Sequence, residues 1–279
     1  MSLQTLSEWL RCPNCSLPLH PGGALVLKCD AGHSFDVNKR GFVSLAGQAR
    51  RLIGDSIAMV DARDLFLGTG WYDPLRDRIA DRVAAEHPGR LLDIGCGTGY
   101  YLRGILDRVP GIRVLGMDLS PSAVGRTVAG QSGVDGLVAD VWSPLPVRDG
   151  AADVLLNVFA PRNPPEFHRI LTDDGLLAVV VPQERHLREL RQAGLALDVP
   201  SNKVAHLVET LAPFFRLEAA EDLCSTLSLE PIQIAALIGM GPSAHHTDAG
   251  ALTDQLSAVQ TVTAAFHLLS FRRLAYPSR

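Results

Sequence analysis

Beyond about residue 73 the chain alternates between short apolar runs and stretches whose apolar positions recur every three or four residues. The runs at 90–94, 112–117, 136–140, 152–159 and 175–181 read as strands. Between them, 73–86, 99–109, a segment opening at Pro121 and 165–171 read as helices, with Ser120 placed to cap the third. Leu176 to Val181 is apolar without a break, as a strand covered on both faces requires, so the sheet is expected to be parallel and helix-flanked. Strand-like runs near 217–229 and 262–274 would close it with an antiparallel end. Upstream, 34–47 alternates enough to complete a small antiparallel ribbon, and 48–70 is polar with helical spacing through Ile57, Val60 and Leu65. Three segments are expected: a module over 1–47, a connector over 48–72 and an α/β domain over 73–279.

Length and composition suit that division. The 279 residues are 47% hydrophobic and 20% charged, ordinary for a globular protein with one large domain and a small one. There is no apolar run of membrane-spanning length, and Met1 to Thr5 lacks the basic and apolar regions of a leader. A cytoplasmic location is expected. The five cysteines sharpen this: three cluster near the start, which suggests a metal in a reducing compartment. Cys12-Pro13-Asn14-Cys15 is followed, thirteen residues on, by Cys29-Asp30-Ala31-Gly32-His33. Three thiolates and an imidazole on two tight turns suit tetrahedral zinc with a filled shell, a structural site that supplies folding free energy to a module too small for its own core. No βαβ unit surrounds Cys12, which disfavours a redox C-x-x-C. Cys96 and Cys224 are left outside the set.

Charge is uneven. Residues 1–51 carry six basic side chains against three acidic ones, so the segment is +3 in a chain of −4 and the rest is −7. A basic zinc module on an acidic enzyme reads as a nucleic-acid handle, with Lys39, Arg40, Arg50 and Arg51 as the candidate contacts.

The densest chemistry lies where the first core strand meets its helix. Asp93 precedes glycines at 95, 97 and 99, Thr98 sits between the last two, and Asp118 ends the next strand 19 residues past Gly99. Glycines let backbone approach a ligand closely, and a carboxylate there can accept both ribose hydroxyls. The dinucleotide fingerprint G-x-G-x-x-G carries a pyrophosphate on its helix. D-x-G-x-G-x-G does not match it and resembles the first motif of class I S-adenosylmethionine (SAM) methyltransferases. That resemblance implies a Rossmann-like, seven-stranded sheet and SAM as cofactor. Asp140, ending the third strand, then stands where this fold commonly binds the adenine amino group.

Taken in order, the zinc motif, Gly54-Asp55-Ser56, Ala62 to Leu67, Gly70-Trp71-Tyr72-Asp73-Pro74-Leu75 and the glycine loop resemble the 23S ribosomal RNA guanine-N1 methyltransferases, from about Cys12 to about His186. Asn157 to Glu166 looks closer to the macrolide (tylosin-type) resistance branch. The resemblance implies that Tyr72 and His186 reach the cofactor, that 23S rRNA is the partner and that the chain forms a homodimer. It places the loop Asn157 to Asn163 opposite the methyl group, where Asn157, Phe159 and Pro161 would position the base; no histidine or carboxylate there serves as an obvious general base. Two readings compete: a methyltransferase of a small molecule, which leaves the basic module without a task, and a non-catalytic RNA-binding protein, which leaves the intact glycine loop unexplained.

Overall fold

The computed structural model describes residues 3–46, 54–198, 202–241 and 261–275. The strands anticipated beyond residue 73 are β5 (Arg90–Ile94), β6 (Arg113–Asp118), β7 (Val134–Val138), β8 (Ala152–Val158), β9 (Leu171–Pro182), β10 (Phe215–Ser228) and β11 (Thr261–Arg273). The central ones pair in parallel and the last two antiparallel, in the spatial order β10-β11-β9-β8-β5-β6-β7. Helices α3 (Asp73–Ala84), α4 (Tyr100–Arg108), α5 (Pro121–Val128) and α6 (Pro164–Ile170) connect them. Ser120 and Pro121 do open α5, but the Ser120 hydroxyl makes no capping bond and instead donates to the Asp55 carbonyl at 2.9 Å.

Among the described residues the sheet has eight strands where seven were expected. β1 (His20–Gly23), β2 (Val26–Lys28) and β3 (Ser34–Asp36) form the antiparallel ribbon, but β4 (Phe42–Ser44) leaves it and lies parallel beside β7. Phe42 and Val43 are adjacent and both buried, which a ribbon open to water on one face cannot satisfy and a strand covered on both faces can. Gly136 opposite Phe42 leaves the room: a Cβ there would stand 2.6 Å from the Phe42 Cβ.

The N-terminal segment also lacks a core of its own. Leu6 and Trp9 of α1 (Leu3–Trp9), with Leu10, Cys12, Leu19 and Leu27, merge into one apolar cluster with Leu92, Leu115 and Leu137 of the sheet. Polar bonds fix the docking. Arg148 donates to the carbonyls of Leu10 and Leu19 at 2.9 and 2.8 Å, and the Arg11 amide donates to the Pro146 carbonyl at 3.0 Å. Among the described residues, no helix is long and apolar enough to cross a membrane.

Candidate cofactor site and metal cluster

β5 ends in a turn that only glycine adopts comfortably. Gly95, Gly97 and Gly99 have φ of +80, +53 and +76°, and the amides of Gly95 and Cys96 both donate to the Met117 carbonyl, at 2.8 and 3.0 Å. Asp118 ties the turn to β6: one carboxylate oxygen accepts from the Gly97 amide at 3.0 Å, the other from the Ser120 amide at 2.9 Å. Burial lifts the Asp118 carboxyl above its ordinary range and these two amides oppose the shift. Beneath the turn, Asp93 is 2% exposed, and burial, with the Asp118 charge adding, pushes it up to about 8.

Over this turn opens a cavity of about 410 Å³, the size of small-molecule sites. Tyr72, Gly95, Gly97, Thr98, Asp118, Asp140, Phe159 and Pro161, all expected at the site, line it. Asp140 accepts from the Trp142 amide and the Ser143 hydroxyl, each at 2.9 Å. The hydroxyls of Tyr72 and Thr98 are buried without a partner among the described residues. Burial raises the Tyr72 phenol well above its usual range, so it stays protonated.

Four expected residues stand outside the lining. Asp93 lies below it. Gly99 precedes α4 and packs on Thr127, its Cβ position 3.1 Å from the Thr127 Cα. Asn157 is fully buried behind the wall. Its amide donates to the Pro161 carbonyl at 3.0 Å, and its Oδ1 has no partner among the described residues. His186 is one ring removed: it packs on Phe266 at 4.8 Å, which in turn touches Tyr72 and Phe159. Its Nδ1 accepts from the Ala265 amide at 3.2 Å, and burial beside Arg191 and Lys203 holds it neutral, its pKa down to about 3.

The cavity also recruits residues that the sequence reading left in the connector or passed over. Asp55 and Arg63 of the segment read as a linker, with Tyr101, Trp142 and Met240, belong to its wall. Arg63 sits on α2 (Ile57–Leu67), which packs on α9 (Pro231–Gly239). The available signal was Asp55 and Arg63 within motifs already singled out; nothing local marks Met240. On the far side, the loop after β8 carries Phe159 at φ +55°, 43% exposed, and Arg162, whose Nε is buried without a partner among the described residues.

The second cluster lies in the ribbon. Cys12, Cys15, Cys29 and His33 bring their donor atoms within 4.8 Å of one another. Cys12 Sγ is 3.6 Å and Cys29 Sγ 3.4 Å from His33 Nδ1, and the Sγ atoms of Cys15 and Cys29 are 3.6 Å apart. Edges of that length surround a tetrahedral centre about 2.0–2.3 Å from each donor. Lys39 and Arg40 stand exposed in the turn between β3 and β4, with no ion pair to a described residue. Arg50 and Arg51 lie outside the described residues.

A parallel sheet with this glycine turn, acidic strand end and antiparallel closure defines a class I SAM-dependent methyltransferase. The methyltransferase-domain family model matches residues 91–175. The solved structure of MccD protein shares the fold, with a TM-score of 0.50 at 16% identity over 71% of this chain and 96% of that one. A 23S rRNA (guanine(748)-N(1))-methyltransferase from Streptomyces fradiae is 41% identical over 254 residues, 90% of either chain. A relative from Micromonospora griseorubida, 38% identical over 94% of this chain and 97% of its own, carries the same kind of name with a provisional qualifier. The chain belongs to the 23S ribosomal RNA (guanine-N1)-methyltransferase family.

Proposed function

We propose that this protein transfers a methyl group from SAM to N1 of a guanine in a 23S rRNA hairpin loop. The observation that carries the reading is the joining, through one apolar core, of a glycine-turn cavity and a Cys3His cluster in a chain matched nearly end to end by a relative named for that reaction.

The cavity fits the cofactor. Its glycine floor admits close approach, Asp118 and Asp140 offer carboxylate lone pairs to ribose hydroxyls and an exocyclic amine, and two buried hydroxyls lack partners among the described residues. When bound, SAM supplies an electrophilic methyl on a sulfonium. The chain's own task is alignment in a dry pocket. Phe159 and Trp142, 43% and 60% exposed at the rim, offer faces on which a splayed base can stack. Asn157 braces Pro161 and keeps Oδ1 as an open acceptor behind that loop, and Asn163 pins the loop to the Val141 carbonyl at 2.8 Å. His186 acts through Phe266 on Tyr72 and not on the cofactor directly.

Cys12, Cys15, Cys29 and His33 would hold zinc, a donor set that closes the metal's shell and makes it structural. The module over 1–47 would grip RNA phosphates through Lys39 and Arg40, with 48–72 as connector and 73–279 as the catalytic domain, in a cytoplasmic homodimer. Tylosin-type resistance follows if the modified guanine lines the drug's site.

Primer extension on 23S rRNA treated with the protein and SAM tests the reaction, because a methyl on N1 blocks base pairing. A new SAM-dependent stop at one guanine is expected. Absence of any stop, with the protein shown to bind SAM, would refute the substrate assignment.

A further inference from the structure

Arg63 is the one cation among the described residues that line the cavity, whose lining also holds three carboxylates, Asp55, Asp118 and Asp140. A ligand bearing a carboxylate of its own would find no other cationic side chain among the described lining residues. Its position is over-determined. The Asp55 carboxylate accepts from Nη1 at 2.5 Å, and the Met240 carbonyl, at the end of α9, accepts from Nη2 at 2.9 Å. Asp55 is itself anchored. Ser120 donates to its carbonyl, and Gly54 lies so close to the Leu119–Ser120 backbone that a Cβ would stand 3.0 Å from the Ser120 amide nitrogen. The result is a guanidinium laid over the glycine turn, its Nη1 3.2 Å from where a Cβ at residue 97 would be. Two of its five N–H groups are committed to these partners, and the rest are available at the cavity wall. Asp118 registers both neighbours: Asp55 raises its pKa and Arg63 lowers it.

SAM is amphoteric along its length. The adenosine end offers hydroxyls and an amine, which suit carboxylates, and the amino-acid end offers a carboxylate, which does not. We infer that Arg63 is the residue that binds the carboxylate of the cofactor's amino-acid end, with Asp55 as the positioning residue that holds the guanidinium over Gly97. Charge-assisted hydrogen bonds of this kind contribute more than neutral ones and read out as a loss of roughly tenfold to a hundredfold in affinity when removed. The inference rests on the cavity being the SAM site. It gives the segment 54–67 a direct part in binding.

The test is calorimetric binding of three ligands to the full chain: S-adenosylhomocysteine, its decarboxylated analogue S-adenosyl-3-thiopropylamine, and 5′-methylthioadenosine, which lacks the amino-acid end. Wild type should bind the first tenfold or more tighter than the second, a result that needs no variant. Arg63→Met, which keeps the apolar stem, should weaken S-adenosylhomocysteine by that same factor and leave methylthioadenosine within about twofold, with Arg63→Lys recovering part of the loss. Equal weakening of all three ligands by Arg63→Met would make Arg63 a clamp between α2 and α9 and overturn the inference. So would wild-type indifference to the carboxylate. If wild type binds none of the three, the cofactor reading itself falls.

Discussion

Gly95→Ala probes the turn at its tightest point. Two penalties add. The residue holds φ at +80°, fixed by the paired amides on Met117, and a left-handed conformation costs an L-residue about 1–2 kcal/mol. The new methyl would also overlap the Cβ of Ala160, closer by roughly 1 Å or more than the ~3.5–4.0 Å of ordinary carbon contact. Ala160 cannot retreat freely, because Phe159 donates to the Val180 carbonyl at 3.2 Å and Asn157 holds Pro161. Forced overpacking of this kind costs about 1–3 kcal/mol. Gly95→Ala should therefore lose roughly 2–5 kcal/mol, a large share of the ~5–15 kcal/mol that typically separates folded from unfolded. Urea unfolding of wild type, Gly95→Ala, Ala160→Gly and the double variant separates the terms. In the double variant the overlap is relieved and only the dihedral penalty and the flexibility of the second glycine remain, so the two changes should be markedly less than additive. Strict additivity, or a loss below about 1 kcal/mol in Gly95→Ala, would refute the packing argument.

Three further outcomes are expected. Cys12→Ser/Cys15→Ser should abolish stoichiometric zinc by metal analysis and lower the melting temperature by several degrees, since Cys12 shares its core with the sheet; retained zinc would mean other ligands. Burial pushes the His186 imidazole down to about 3 in the folded chain, against about 6.5 for an exposed one. The stability that its neutral form supports is complete above about pH 6.5 and drains as pH falls toward 3, so His186→Gln should flatten the acid limb of a stability–pH curve. Charge reversal of Lys39 and Arg40 should weaken 23S rRNA binding, leave SAM affinity unchanged and reduce the salt slope by up to about two contacts; an unchanged slope would move RNA recognition off the ribbon.

What was legible in the sequence is what chemistry writes locally. Leu176 to Val181 announced a two-sided strand. The glycines at 95, 97 and 99 announced a turn between the first core strand and its helix that leaves room for a ligand, and the cysteine spacing announced two knuckles. Phe42 and Val43 were misplaced in the ribbon because their proper neighbour, Gly136, lies over 90 residues away and only tertiary context supplies it. Arg63 was read as connector for a similar reason: a polar helix in sequence becomes a wall only when Met240 and Gly97 meet it. His186 sits near the site as expected, yet Phe266, from the last strand, intervenes.

The seat of β4 on the margin of β7 bears on how the chain can be made and trimmed. Strand margins with unpaired amides and apolar side chains invite pairing with other molecules. β4 shields that margin, so a fragment starting after residue 46 would bare Leu137 and Val138 to its neighbours. During synthesis the order is reversed: residues 42–44 leave the ribosome long before 136–138 exist to receive them. Residues 42–44 must therefore wait for the strand they pair with, more than ninety residues on, and until then a bound metal would be the main thing holding the ribbon together.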